Sequence, residues 1–433
     1  MDITINNTTD PILLKRILDA EKSINQAWKV IGIVLVFWMH AGFSMLEAGS
    51  IREKNVQNIL FKNILNVVAT TIVWWTLGYA LAFGESWHGF IGGKSKYGFA
   101  GTELADGYGY DWTEWCFQWA FSATSLTIIS GGMAERTNIL GYLMTILFYQ
   151  TLIYPFICHW VWNKDGWLKV GDEDQDWLHF YDYAGASVVH MVGGFAALIG
   201  CKFLGPREGG LRASNSIPNV ALGTFILWMG WYGFNACSGD IIGEEALNIT
   251  GRVMINTTIS AASAGIATVL YYYIYDGFFF VPQLCNGILA GLVSSTAGCA
   301  YVNDWAAFII GLVAAALYVA ANELLKKYVI DDAISAFPVH GCGGLWGIIS
   351  VGLFHLDHGW FYNKKTFIAW QIYGLLAILG WVCVITTILM VVLKYVQKLR
   401  VSMEDEDAGL DRKYHRSNSI YASRSNLIFH KQK

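Results

Sequence analysis

The 433-residue chain is 55% hydrophobic and only 14% charged, with a formal net charge of −4. A soluble globular domain carries roughly 25% charged residues, so a soluble fold of this length could not cover its surface, and lipid must cover much of it instead. The near-neutral balance, with no sustained basic stripe and no base-reading motif, excludes nucleic acid as a partner.

The first thirty residues are polar and carry no cleavable signal peptide; they form an N-terminal segment over 1–29 that the Lys and Arg balance of the loops predicts to be extracellular. From Val30 onward, about eleven apolar runs follow, each near the 20 residues that a bilayer core requires. They cover 30–48, 64–83, 115–134, 139–162, 183–203, 217–238, 253–275, 277–300, 305–323, 334–354 and 367–393. The predicted fold is an all-α polytopic membrane protein with a transmembrane domain over 30–395 and a cytoplasmic tail over 396–433.

Lys and Arg set the orientation. The odd-numbered loops carry Arg52 and Lys54, Arg136, then Lys202, Arg207 and Arg212, then Lys326 and Lys327. The even-numbered loops are largely acidic, with Glu103, Asp106, Asp111 and Glu114 in one and Asp165, Asp172, Glu173, Asp174 and Asp176 in another. Lys94, Lys96, Lys364 and Lys365 run against the trend. The balance places the N-terminus outside and the C-terminus inside. Asn6, Asn7 and Asn248 begin N-x-Ser/Thr sequons, the first two on the outer side. The eight cysteines fall mostly inside apolar runs without a CxxC pair, and read as small hydrophobes.

One motif occurs twice. Val189-His190-Met191-Val192-Gly193-Gly194 lies in the fifth run and Val339-His340-Gly341-Cys342-Gly343-Gly344 in the tenth. Five spans separate the copies, and an odd number per repeat inverts the second. The prediction is two inverted five-helix repeats plus a final helix, with a solute path at their interface. A chance match between Gly-rich helices is the competing explanation.

No Lys, Arg, Asp or Glu lies deep within any run, whereas His40, His159, His190 and His340 do. Ionisable groups at membrane depth are costly and usually face a cavity or a partner. A lone buried histidine is more often a satisfied core residue. His190 and His340 differ, because an inverted repeat brings them toward a shared axis, where paired imidazoles suit proton handling or a small hydrogen-bonding solute. A metal is the other reading of the pair, with His40 as a third ligand. Zinc wants four ligands and no carboxylate lies near in sequence, so no metal or cofactor is assigned.

Phe117 and Phe121 stand four apart on one helical face, as do Phe234 and Ser238, and Trp160 and Trp162 close the fourth run. Aromatic faces attract ammonium-type cations and a serine hydroxyl accepts from them. An interfacial aromatic belt is the plainer explanation for any one of these rings.

With these residues in view, the chain resembles the ammonium transporter family (Amt/Mep/Rh), and its Amt branch more than its Rh branch. The resemblance rests on Asp182 through His190, reading DYAGASVVH, and on Phe337-Pro338-Val339-His340-Gly341. Further matches are Ala41-Gly42-Phe43, Glu47-Ala48-Gly49 with Lys54-Asn55, Gly132-Met133-Ala134-Glu135-Arg136, Gly230 through Asn235 and Thr296-Ala297-Gly298-Cys299. The resemblance implies eleven helices per subunit and a homotrimer with a pore in each. It implies that Phe117, Trp162 and Ser238 recruit ammonium, that Phe121 and Phe234 form a stacked gate, and that His190 and His340 line a hydrophobic pore. Asp182 is implied to order backbone near the recruitment site. Ammonium is implied to lose a proton there, ammonia to pass the gate, and the proton to move separately along the histidines. Neutral ammonia conduction and an ammonium sensor on the same fold are the alternatives; no nucleophile–base pair, metal cluster or nucleotide loop supports an enzyme.

The chain departs from the family at His40, where many Amt members carry Gln, which predicts a third ionisable group near the pore. In the tail, Gly409-Leu410-Asp411 fits the family, whereas Arg412, Lys413 and Arg416 do not, and the segment from Ser417 is predicted to be disordered. A cytosolic regulator at the tail and a place in the plasma membrane complete the expectations.

Overall fold

Each of the eleven apolar runs coincides with a helical segment: α1 Pro11–Ser50, α2 Glu53–Phe83, α3 Trp112–Gly132, α4 Ile139–Trp162, α5 Ala186–Leu204, α6 Ile217–Ala236, α7 Ala246–Asp276, α8 Val281–Ser295, α9 Asp304–Lys327, α10 Phe337–Phe354 and α11 Phe367–Tyr395. The computed structural model describes residues 10–94, 112–169, 179–210, 214–243, 245–362 and 365–416. Asn6, Asn7, Lys96, Arg212, Lys364, the acidic residues within 95–111 and 170–178, and the segment from Ser417 lie outside the described residues.

Eight of the segments are long and apolar enough to cross a membrane on length and composition alone. Of the other three, α3, α6 and α8, the first is an inner helix, whereas α6 exposes Leu222, Phe225 and Met229 on its outer face. Every residue of α3 from Ala120 to Gly132 is buried, so its Ser and Thr side chains meet protein rather than lipid. Thr124 bonds back to the Ala120 carbonyl at 2.9 Å and Ser125 reaches the Val189 carbonyl at 2.8 Å. α1 begins well ahead of Val30, because Pro11 occupies its first turn and the Asp10 carboxylate accepts from the Ile12 N–H at 2.9 Å.

The first repeat packs on the second through its equivalent elements. α1 runs along α6, and the backbones nearly touch: a Cβ on Gly42 would lie 3.1 Å from the Gly223 carbonyl oxygen, and one on Gly223 would lie 2.6 Å from that of Gly42. Only small residues permit such an approach in lipid. A short antiparallel pair, β1 Glu85–Trp87 with β2 Ile91–Lys94, follows α2.

Charge is buried in two places that the apolar runs do not reveal. Glu47 and Lys62 are 0% and 1% exposed, with Glu47 accepting from Asn63 at 2.8 Å and the Lys62 ammonium 4.6 Å from the Tyr142 ring centre. α2 starts at Glu53, well before the apolar run at 64, so Lys62 enters the bundle on its helix. At the face where α1 ends, Arg207 pairs with Glu135 and forks onto Asp331 at 2.7 and 2.8 Å, and Arg52 also pairs with Glu135. Burial alone would raise the pKa of both carboxyls, but the two guanidiniums outweigh it for Glu135, and Arg207 and Arg136 do so for Asp331, so both lie below the usual range.

The tail docks on this same face. It forms two helices, α12 Met403–Ala408 and α13 Leu410–His415; α13 lies against the start of α2, and Lys54 there donates to the Asp407 carbonyl of α12. Asp411 accepts from the N–H groups of Gln57 and Asn58 at 3.0 and 2.7 Å, and the Leu410 N–H reaches the Asn55 side chain at 2.9 Å.

Candidate functional site

A cavity of about 560 Å³ opens at the face where α1 begins. Phe117, Gln118 and Phe121 of α3, Trp162 of α4, Asp182 and Ser238 line it. The spacing 117/118/121 explains the α3 contribution, since these positions share one helical face. Phe117 is 4.6 Å from Phe121 between ring centres, and Phe121 stacks on Phe234 of α6 at 4.0 Å and 16°. Trp162 meets Phe121 edge-on at 5.9 Å. Phe121 and Phe234 are 1% and 0% exposed, so these rings close the floor of the cavity.

Beneath them, Phe234 lies 5.3 Å from the imidazole of His190, and His190 lies 5.2 Å from His340 with the rings 16° apart. Their Nδ1 atoms are 3.2 Å apart. Between two neutral rings that contact holds one proton, so one ring carries Nδ1–H and the other accepts at Nδ1. The donor ring then leaves a lone pair at Nε2, and the acceptor ring an N–H. His190 Nε2 is buried without a protein partner among the described residues.

Local backbone explains why the histidines meet. Both copies of the repeated motif fold into a π-helical turn, Ala186–Met191 and Phe337–Cys342, ahead of the α-helical remainder of α5 and α10. The last glycine of each motif lies on the other copy. A Cβ on Gly194 would sit 2.2 Å from the Gly341 nitrogen, and one on Gly344 would sit 2.3 Å from the Ala186 carbonyl oxygen and 2.7 Å from the Met191 nitrogen. The reciprocity fits a two-fold relation between the repeats.

Asp182 points away from the cavity contents and into the start of α5. One carboxylate oxygen accepts from the N–H groups of Gly185 and Ala186 at 2.9 and 2.8 Å; the other accepts from those of Ser187 and Val188 at 2.8 and 3.1 Å and from the Ser187 hydroxyl at 2.6 Å. These are the donors that a helix start leaves without partners. Burial pushes the Asp182 carboxyl up against the pull of these bonds. Gly185 makes the turn at φ +100°, with the Trp162 ring 3.0 Å from where a Cβ would be. The Trp162 indole donates to the Asp182 carbonyl at 2.9 Å, and the Ser238 hydroxyl donates to the Phe234 carbonyl at 2.8 Å. Trp162 is thus tied through Asp182 to the turn that carries His190, and Ser238 is tied to Phe234.

Of the residues singled out from the sequence, Phe117, Phe121, Trp162, Asp182, His190, Phe234, Ser238 and His340 come together here. His40 and His159 do not join them. His159 is a satisfied structural residue, with Nδ1 2.8 Å from the Ala82 carbonyl and Nε2 2.8 Å from the Ser86 hydroxyl. His40 faces Thr127 of α3, at 3.5 Å, and the edge of Phe37. Sequence reasoning passed over Trp231, which stacks on His190 at 4.9 Å and 11°, and Lys29 and Glu114, which line the cavity mouth. Trp231 stands within a quoted motif. The two charges read as a run's flank and a loop acid.

Comparison with known proteins agrees with this geometry. The family model described as Ammonium Transporter Family matches residues 27–420. The chain is similar to Ammonium transporter 1 member 1 of Arabidopsis thaliana, at 37% identity over 407 residues, covering 86% of this chain and 80% of that protein. It is similar to the putative ammonium transporter sll1017 of Synechocystis sp., at 38% over 410 residues, covering 91% and 89%. Among solved structures it resembles the "Sensor Amt Protein" (TM-score 0.82, 30% identity, 92% of this chain and 99% of that one) and Saccharomyces cerevisiae Mep2 (0.78, 27%, 88% and 88%). A match of this extent, on a chain whose two VHxxGG motifs meet at a buried histidine pair, leads to one conclusion: the chain belongs to the ammonium transporter family.

Proposed function

We propose that this chain carries ammonium across the membrane, taking it up at the Phe117–Trp162–Ser238 cavity and passing ammonia along His190 and His340. The observation that carries this reading is the buried stack of Phe121 and Phe234 directly above a contacting imidazole pair. Cation–π attraction at Phe117 and Trp162 offers an ammonium ion about 0.5–2 kcal/mol per ring. Stripping its hydration costs several kcal/mol. The cation therefore binds at the cavity and does not pass the gate, whereas neutral ammonia does. The released proton travels separately: taken up at one Nε2, relayed across the Nδ1 contact, and released from the other Nε2. The net result is the movement of one charge.

On this reading residues 30–395 form the transport unit in the plasma membrane, 1–29 lie outside and 396–433 in the cytosol, where a regulator reaches the docked tail. The functional assembly is a homotrimer.

The test is the current evoked by an ammonium jump in proteoliposomes holding the purified protein. A saturable inward current that falls on Trp162→Ala or Phe121→Ala is expected. An internal pH rise without current would replace the electrogenic scheme with neutral ammonia conduction. The likeness to a protein named as a sensor favours a second reading, ammonium sensing. Saturable binding with neither current nor pH change would select it.

A further inference from the structure

Lys29 of α1 and Glu114 of α3 form an ion pair at the mouth of the same cavity. The Lys29 ammonium lies 5.7 Å from the centre of the Phe117 ring. Both side chains are about three-quarters buried, at 22% and 26% exposure. The other Glu114 oxygen accepts from Gln118 at 2.8 Å. Positions 114, 117, 118 and 121 share one face of α3, so carboxylate, amide and both rings are aimed at one spot. α1 is held beside that spot. Asn25 accepts from the Ile241 and Ile242 N–H groups at 3.1 and 2.9 Å, and the Trp28 indole reaches the Ala236 carbonyl at 3.4 Å. Lys29 follows directly.

A lysine side chain ends in a primary ammonium, the same chemical class as the ion for which the cavity is proposed. It uses the same two attractions: a ring face and a carboxylate oxygen.

We propose that Lys29 is a tethered competitor for the recruitment site, occupying Phe117 and neutralising Glu114 until an incoming ammonium displaces it, after which Glu114 serves as that ion's counter-charge. The proposal rests on the function proposed above and adds two specificity-determining residues to it. The latch sets how much ammonium half-saturates the site without touching the steps at the gate and histidines. It also raises the threshold for weakly binding cations, because each must first break the Lys29–Glu114 pair.

The test compares wild type, K29M, E114Q and the double variant K29M/E114Q, measuring transport against ammonium concentration. Lys29→Met keeps the chain length and removes the cation. It exposes both Phe117 and Glu114 to substrate, so the half-saturating concentration is expected to fall about three- to five-fold, the scale of a partly exposed ion pair. Glu114→Gln leaves Lys29 without that carboxylate, so the concentration is expected to rise by a similar factor. The double variant is expected to return to within about two-fold of wild type. In the three variants the effect falls on half-saturation far more than on maximal rate, and raising the salt concentration narrows the gap between the single variants.

A half-saturation unchanged or raised in K29M, or lowered in E114Q, overturns the latch. If K29M does not fold, Lys29→Gln, which also removes the cation and keeps a polar end, takes its place with the same expected fall. Calorimetric titration of ammonium into the same proteins reads the same order of affinities. A wild type that binds ammonium but carries none defeats the transport reading while leaving the latch to be judged by those affinities.

Discussion

Replacing Asp182 with Asn tests whether the start of α5 is held by charge or only by shape. The two side chains are isosteric, but each carboxylate oxygen of Asp182 serves two backbone N–H groups. An amide nitrogen in either position sets N–H against N–H, so flipping the side chain gives no relief. Ser187 can turn its hydroxyl; two backbone donors cannot turn. Two buried donors without acceptors cost about 1–3 kcal/mol each, and removing the negative charge from a helix start costs up to about 2 kcal/mol more. The expected local loss is roughly 2–8 kcal/mol, a factor of about 30 or more. Hydrogen exchange over a peptide spanning 183–192 reads it directly. Protection should drop by a factor of about 30 or more where exchange follows local opening, and transport should fall with it, because His190 lies in the same turn. Protection within a factor of about ten of wild type would refute the capping argument.

Arg207→Met removes the guanidinium shared by Glu135 and Asp331, leaving buried carboxylates short of a partner. Stability is expected to drop by about 3–5 kcal/mol, read as a lower melting temperature in detergent. The same cluster gives a pH dependence. Glu135 and Asp331 are held below the usual carboxylate range in the folded chain, so their stabilisation is complete above about pH 4 and is lost as pH falls through their lowered values. Melting temperature measured from pH 6 downward should therefore fall below about pH 4, and fall less steeply in R207M. Gly344→Ala places a methyl 2.3 Å from the Ala186 carbonyl oxygen. The two motif copies must then part, and the expected result is a protein with a lowered melting temperature and little transport. Unchanged values for both would mean that the repeats do not rely on this contact.

The helices and the file of site residues were legible because each leaves a local mark. Apolar runs of bilayer length mark the spans, and the duplicated VHxxGG marks the centre. What escaped depends on residues that meet only in three dimensions. Lys29 and Glu114 are 85 positions apart, and each taken singly looks like a solvated end of a span. Lys62 escaped because α2 continues as helix through a stretch too polar to count as a run, and Glu47 because it stands at the very end of the first run. His40 was read as a third group near the pore, and the structure sets it against α3.

The reason for that placement lies in a second duplication. Gly42-Phe43 in α1 and Gly233-Phe234 in α6 are the same dipeptide, and each phenyl meets the histidine of the opposite repeat: Phe43 with His340 at 6.0 Å, Phe234 with His190 at 5.3 Å. In that register His40 is the counterpart of Trp231. Both reach a threonine, Trp231 to Thr296 at 3.0 Å and His40 to Thr127 at 3.5 Å. The large indole also covers the face of His190, while no ring contact joins His40 to His340 among the described residues. The two motif histidines are therefore equivalent in backbone and unequal in surroundings. Among the described residues an indole stacks on His190 and none on His340, so the two imidazoles are not interchangeable even though the repeat duplicates their backbone.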